Sequence, residues 1–380
     1  MTDPYTEIGQ MQRNDKMATS LDVVQRLIFC LAAALLLSLQ SCQLGMVHRP
    51  EEKPFYRAIN IFEPGEYGLR CHSSTITELA NGDLLAAWWS GSYEGATDAV
   101  IKTARFPFGA RSWESAVTLV DIPDRFVGNP VLFSLPNGCV WLFFVTVDPS
   151  SRRMVQIMFL ESNDLCYTWS PIKKFITEPG IRTRNHLIIM QSGEILFPLF
   201  NQIKGQALFL ISGDLGKKWE VSEPIISDPP NVQPTVISKK NGDLYALMRT
   251  WHDEPKKRFL WQSKSQDYGR TWSSPSYSQI PTVSSAIEMI KLKNGNVVLA
   301  FNNGRDRERT PLNLALSLDE GCTWPYNRIL ESGQGSFSYP SLIQSQDGHI
   351  HVTYTYRREL IKHVEVNEAW IKAVSFTDYK

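Results

Sequence analysis

Hydrophobic and polar positions along the chain repeat one figure: an apolar run, a short turn ending in glycine, and a second apolar run. It reads ELANGDLLAAWW, SLPNGCVWLFFV, IMQSGEILFPLF, SKKNGDLYALM, KLKNGNVVLAF and QSQDGHIHVTY. Asn-Gly or Asp-Gly between apolar runs is the strongest short-range signal for a β-hairpin. The turn glycines are Gly82, Gly138, Gly193, Gly242, Gly295 and Gly348, spaced by 56, 55, 49, 53 and 53 residues. Self-similarity at such a period marks blades or solenoid units.

A second pattern, S-x-D-x-G-x-T-W, runs out of phase with the first. It occurs as SNDLCYTW, SGDLGKKW, SQDYGRTW and SLDEGCTW, with aspartates Asp164, Asp214, Asp267 and Asp319 at steps of 50, 53 and 52 residues. Ser and Asp side chains can accept backbone N–H groups two residues on, glycine supplies a left-handed residue and tryptophan anchors the turn, so the box reads as a hairpin staple. An eroded copy, FPFGARSW, ends at Trp113. Each clear aspartate follows its hairpin glycine by 21 to 26 residues, which leaves room for four short strands, one propeller blade. The sixth repeat has no box before the sequence ends, and its outer strand is expected from PFYRAINIFEP. The pattern predicts an all-β, six-bladed β-propeller over residues 55–380, closed by an N-terminal strand.

The first 50 residues read differently. Arg26 precedes an apolar run from Leu27 to Leu37, followed by Leu39-Gln40-Ser41-Cys42. This is the pattern of a secretory leader, and the run is short for a membrane span. It resembles a bacterial lipobox, which implies a leader over residues 1–41, cleavage before Cys42, a lipid on that cysteine and a linker over residues 42–54. An uncleaved anchor is the alternative. Either reading expects export, to the periplasm or the bacterial cell surface, with the anchor as the only membrane contact.

Formal net charge is zero, from 39 basic and 39 acidic residues, so no basic field points to nucleic acid. Cys71, Cys139, Cys166 and Cys322 show no C-x-x-C or Cys/His spacing, and no zinc site is expected. There is no G-x-S-x-G elbow, H-E-x-x-H or P-loop. The expectation is a monomer without metal or cofactor.

In a propeller the inner strands surround a central channel, and residues entering them line one mouth. Nine residues before the hairpin glycines lie Ser73, Asn129, Arg184, Gln233, Ala286 and Tyr339. Seven before, on the same face for a period of two, lie Thr75, Val131, His186, Thr235, Glu288 and Ser341. Ionisable groups thus converge on one axis, and Arg184, His186, Glu288 and Tyr339 together resemble a carbohydrate site more than a solvated pore.

Four Asp boxes on a six-bladed propeller resemble the sialidase superfamily, also called BNR-repeat proteins, over about residues 56–366. Sialidases open the first blade with F-R-I-P, whose arginine is the first of three on the substrate carboxylate. Aligning RCHSSTITELANG on its hairpin puts His72 there, a departure. The family's Asp acid/base is matched by Asp98 of EGATDAV, 26 residues after His72. In the fourth blade, NVQPTVISKKNGDLYALMRT keeps an arginine, Arg249, but has Gln233 in place of a glutamate. Arg309 of RTPLNLALSLDEGCTW is the candidate third arginine, and Tyr339 of SYPSLIQSQDG matches the nucleophilic tyrosine.

The resemblance implies an exo-acting hydrolase of terminal acidic sugars. A neutral phenol can approach an anomeric carbon bearing a carboxylate that would repel an anionic Asp. Arginines pair with that carboxylate, and an acid protonates the leaving oxygen. A glutamine cannot take the nucleophile's proton, so Glu288 or His186 is expected to act as base. Two alternatives stay open: β-elimination on a uronate by His72, Tyr339, Arg184 and Arg249, or glycan binding without turnover.

Overall fold

The computed structural model describes residues 52–251, 259–304 and 308–373, so the leader and Cys42 lie outside the described residues. Six antiparallel sheets follow one another along the chain, each begun by one of the strand–turn–strand figures. The first blade is Arg70–Glu78, Leu84–Gly91, Val100–Phe106 and Val117–Val120. The second is Phe126–Ser134, Val140–Asp148, Ser151–Ser162 and Lys173–Ile176. In the third, the inner strand is broken into Ile181–Thr183 and Ile188–Ile189, followed by Ile195–Asn201, Gln206–Ser212 and Glu220–Val221. The fourth is Asn231–Ser238, Leu244–Thr250, Phe259–Ser265 and Ser276–Pro281, and the fifth Glu288–Lys291, Val297–Asn302, Leu312–Ser317 and Tyr326–Glu331. The last consists of Phe337–Gln344, Ile350–Tyr356, Leu360–Val366 and, as its outermost strand, Tyr56–Asn60.

That last pairing closes the ring as the sequence predicts: Tyr56 faces Val366 and Asn60 faces Lys362 across an antiparallel ladder. A short helix, Glu368–Lys372, reinforces it. Its cap Asn367 accepts the Phe55 N–H at 3.0 Å and gives its amide to the Lys53 carbonyl at 2.8 Å, while Trp370 stacks on Tyr56. The strand Tyr56–Asn60 and the helix Glu368–Lys372 are thereby fastened to one blade.

The second strands are the most completely buried, Leu84–Gly91 and Ile195–Asn201 throughout, because each sheet face packs against a neighbouring blade. Trp88, Trp89, Phe143, Phe144, Phe197 and Phe209 fill these interfaces. Each Asp box lies between the third and fourth strands of its blade. In the fourth blade the Ser265 hydroxyl donates to Asp267 at 2.8 Å and accepts the Gly269 N–H, while Asp267 takes the Thr271 N–H at 2.9 Å. The Ser265 oxygen also takes the Asp267 N–H two residues ahead at 3.5 Å, and two consecutive left-handed residues, Tyr268 and Gly269, bring the donors four residues ahead round as well. Trp113 occupies the corresponding place in the first blade. Cys71, Cys139, Cys166 and Cys322 are free thiols.

Candidate active site

The inner strands do not keep a strict period of two. In the first, second, fourth and sixth blades the register slips between His72 and Thr75, Gly128 and Val131, Val232 and Thr235, and Ser338 and Ser341. The extra residue at each bulge is left-handed without being glycine: Ser73, Asn129, Gln233 and Tyr339, with φ of 59°, 46°, 54° and 57°. Such a conformation costs about 1 kcal/mol or more, and bulges of this kind re-aim side chains beside active sites. These are four of the six positions found by counting nine back from the glycine. The bulge separates them from the positions seven back, so the expected single convergence is two tiers.

The upper tier gathers around Tyr339. Its oxygen is met by the Gln233 amide N–H at 3.2 Å and an Arg249 N–H at 3.5 Å, and by no acceptor among the described residues. Arg249 also donates to the Gln233 carbonyl oxygen at 3.1 Å, which fixes the amide with its N–H towards the phenol. The Arg184 and Arg309 guanidiniums lie 5.1 and 5.4 Å from the Tyr339 ring centre, and the His72 ring packs on it at 4.0 Å. Burial alone raises the phenol's pKa. Arg249, Arg309 and the Gln233 hydrogen bond outweigh it, and the group sits below its usual value of 10.0.

His72 is 1% exposed. Burial, and then the charges of Arg358, Arg309, Arg184 and Arg249, hold its pKa well below the usual imidazole value, so it is neutral. Thr355 Oγ1 accepts the Ser73 N–H at 3.1 Å and lies 2.9 Å from His72 Nδ1. The other ring nitrogen, Nε2, is buried and without a hydrogen-bond partner among the described residues.

The lower tier is closed upon itself. His186 Nδ1 faces a Glu288 oxygen at 2.9 Å and its Nε2 faces the Ile76 carbonyl at 2.9 Å. The other Glu288 oxygen takes the Leu342 N–H at 2.6 Å. Burial raises Glu288, but His186 and Arg184 bring it below the usual carboxylate range, so it is ionised. Arg184, 2% exposed, gives its terminal N–H groups to the Ser74 and Pro340 carbonyls at 3.4 and 2.8 Å. The expectation that Glu288 or His186 serves as base to Tyr339 is therefore corrected: both are spent on each other and on backbone groups, tying together blades one, three, five and six. A cavity of 590 Å³ opens on this tier from the opposite mouth, walled by apolar residues such as Ile188, Met190 and Ile290.

Asp98 lies in the loop between the second and third strands of the first blade. It is exposed and accepts the Ser92 N–H at 3.1 Å and the Ser92 hydroxyl at 3.0 Å, so it fastens its own loop. The same loop carries Glu94, which pairs with Arg358 at 2.7 Å and whose charge acts on Tyr339, Arg309 and Arg182. Glu94, Arg358 and Arg182 were not singled out from the sequence. Arg182 lies in the strand Ile181–Thr183, two residues before Arg184, which follows in the break, and Glu94 lies four before Asp98; extending the count by two residues or along the loop finds both. Arg358, in the last blade's hairpin, carries no motif.

One group outside the channel has metal-ligating atoms within 4.8 Å of one another, Asp347, His349 and Glu365. Arg57 already pairs with Glu365 at 2.6 Å, a charge that a cation there would have to displace.

Residues 82–352 match the family model described as BNR repeat-like domain. No curated protein matches the chain. Among solved structures, the Hadza microbial sialidase Hz136 superposes with a TM-score of 0.72 at 17% identity, covering 83% of this chain and 69% of that one. The NanB sialidase from Streptococcus pneumoniae gives 0.68 at 13% identity, with 82% and 71% covered. The intramolecular trans-sialidase from Ruminococcus gnavus, in complex with oseltamivir carboxylate, gives 0.68 at 14% identity, with 83% and 99% covered. At these identities the structures speak for the propeller and the family model speaks for lineage: the chain belongs to the BNR repeat-like family and is built on the six-bladed frame that sialidases share.

Proposed function

We propose that the protein is an exo-acting glycoside hydrolase that removes a terminal acidic sugar from glycans, with Tyr339 as nucleophile and Arg249 and Arg309 on the sugar's carboxylate. One observation carries this: the Tyr339 oxygen meets only donors, from Gln233 and Arg249, amid guanidiniums that lower its pKa. A glutamine cannot act as base, but oriented by Arg249 it donates to the oxygen and stabilises the ionised form. The phenol proton then goes to solvent before attack, and no adjacent carboxylate has to receive it.

The remaining steps follow from atom balance. A phenolate lone pair forms the bond to the anomeric carbon while the glycosidic bond breaks and its oxygen takes a proton from a carboxylic acid. Water then attacks the anomeric carbon, gives its proton to that carboxylate, and releases Tyr339. The loop of the first blade supplies the acid, from Asp98 or Glu94. The elimination reading loses support from His72, which is 1% exposed, with Nδ1 engaged by Thr355 and Nε2 buried. The relatives named as sialidases, one of them bound to oseltamivir carboxylate, agree with an acidic sugar. We also propose export and lipid anchorage at Cys42, on the leader pattern of the sequence.

The experiment is incubation with sialylated and uronate-containing glycans, reading free acidic sugar and ultraviolet absorbance in parallel. Free sugar from the native chain, absent with Tyr339→Phe, supports hydrolysis. A rise in absorbance identifies a lyase and overturns it, and neither signal leaves a binding protein.

A further inference from the structure

The Arg249 guanidinium is held on two edges. Its Nη1 faces the Gln233 carbonyl oxygen at 3.1 Å and the Tyr339 oxygen at 3.5 Å. The other edge meets a single atom, the Ser284 hydroxyl oxygen, which lies 3.3 Å from Nε and 3.2 Å from Nη2. That hydroxyl gives its own hydrogen to the Thr250 carbonyl at 3.2 Å. A serine oxygen has one hydrogen and two lone pairs, so with the hydrogen on Thr250 both lone pairs are turned to the guanidinium. Thr250 follows Arg249 in the strand Leu244–Thr250, and the hydroxyl therefore ties the arginine side chain to its own strand.

The backbone at Ser284 is unusual in the same way as the bulge residues of the other blades. It lies in the connection between Ser276–Pro281 and Glu288–Lys291 and is left-handed, with φ of 56°. In blades one, two, four and six the left-handed residue stands nine before the hairpin glycine; in the fifth that position is Ala286, and the left-handed residue is Ser284, eleven before Gly295. A residue with a side chain is strained there, and such strain persists where the surrounding structure imposes it, commonly at functional sites. Of the five N–H groups of Arg249, two go to Ser284, one to Gln233 and one to Tyr339, which leaves one on Nη2.

Resting on the reading of Tyr339 as nucleophile, we propose that Ser284 is a positioning residue for the reaction: it aims the Nη1 edge of Arg249 at Gln233 and Tyr339 and leaves Arg249 a single N–H for the sugar's carboxylate. Without the hydroxyl, Arg249 is free to turn its Nε–Nη2 edge onto that carboxylate and to let go of Gln233. An amide without that anchor can turn over and present its oxygen to the phenol. There it accepts the phenol's hydrogen and favours the neutral form, the reverse of what the attack needs. Ser284 thus acts through Arg249 and Gln233, not on Tyr339 directly.

The test is an ultraviolet titration of tyrosinate in the full chain, with Tyr339 isolated by subtracting the same chain carrying Tyr339→Phe. It needs no substrate, so its result is separate from whether glycans are cleaved. Ser284→Gly removes the hydroxyl and suits a left-handed backbone, which keeps the fold. Ser284→Asn retains an acceptor oxygen on a residue that tolerates the same backbone. Expected is a rise of about one pH unit in the Tyr339 midpoint for Ser284→Gly, about tenfold less phenolate at a fixed lower pH, and a return towards the native midpoint for Ser284→Asn. With any glycan that the native chain hydrolyses, kcat of Ser284→Gly should fall about tenfold below the native midpoint and recover as pH rises through the new one. A midpoint unmoved by Ser284→Gly, or a rise that Ser284→Asn shares in full, overturns the proposal and leaves the hydrolase reading standing. A moved midpoint in a chain that cleaves no glycan overturns the hydrolase reading, and with it the catalytic use of Ser284, while its hold on Tyr339 stands.

Discussion

The two tiers of the channel use similar residue types for opposite ends. Below, His186 and Glu288 hydrogen-bond each other and backbone groups of other blades, and Arg184 gives its terminal N–H groups to two carbonyls while its Nε is buried without a partner. Above, the Tyr339 oxygen has donors without an acceptor, and Gln233 and Tyr339 hold left-handed backbones. A buried charge satisfied internally is a structural part. Charge left unsatisfied, at a strained position, in a mouth that admits ligand, is what a binding site looks like before its ligand arrives.

Substitutions can break this comparison, and the largest effect is expected at Tyr339. Tyr339→Phe should lower kcat by about a thousandfold or more while leaving the melting temperature nearly unchanged, since the ring keeps its packing. Glu288→Ala should do the reverse, costing about 3–5 kcal/mol of stability in a urea titration because Arg184 and His186 lose their buried counter-charge. If Glu288→Ala instead folds normally and loses only turnover, the lower tier is catalytic and the division is wrong.

Two further measurements sharpen it. Ionisation of Tyr339 should appear as a rise in kcat/KM with pH, centred below 10.0, and Arg309→Lys should shift that limb by less than Arg309→Ala shifts it upward. Away from the channel, His351 and His363 lie 3.0 Å apart and are buried; burial lowers His351 to about 4 and His363 well below its usual value. Both are neutral in the fold, whereas the unfolded chain takes up protons below pH 6.5. Their contribution is fully present above 6.5 and is lost as pH falls towards 4, worth about 3 kcal/mol for His351. Thermal melts across that window should show the loss, and His351→Asn should lessen it, with His363 keeping the remainder. The smallest effect is expected at an Asp box, where Asp267→Ala should cost about 1–2 kcal/mol without changing activity.

The propeller was legible because its signals are local. A turn glycine and the Asp-box side chains act within a few residues, so they recur wherever a blade does, and even the eroded copy at Trp113 falls in the right place. The ring-closing strand could be read because the last repeat was one strand short. The site was legible only in part. Counting back from the glycine finds Tyr339, Gln233 and Arg184, and the family alignment finds His72, but the bulges that part the two tiers fall on Ser73, Asn129, Gln233 and Tyr339, which share a position and no residue type that would announce a bulge. Asp98 was chosen by its spacing, and spacing cannot tell a carboxylate turned onto Ser92 from Glu94, turned towards Arg358. Arg309 carries the family pattern, whereas Arg182, eleven residues before Gly193, lies outside the positions nine and seven back.

The strand Tyr56–Asn60 gives the molecule a seam whose two sides are separated by nearly the whole chain, as the Arg57–Glu365 contact at a separation of 308 residues shows. During synthesis the first of these strands emerges long before its partner, and the last blade has nothing to complete it until the ribosome has passed Val366. The nascent ring therefore keeps an open edge on each side for most of translation, the kind of exposed pairing surface on which chaperones act and aggregates grow. Closure is then a single late event that joins the oldest part of the chain to the newest.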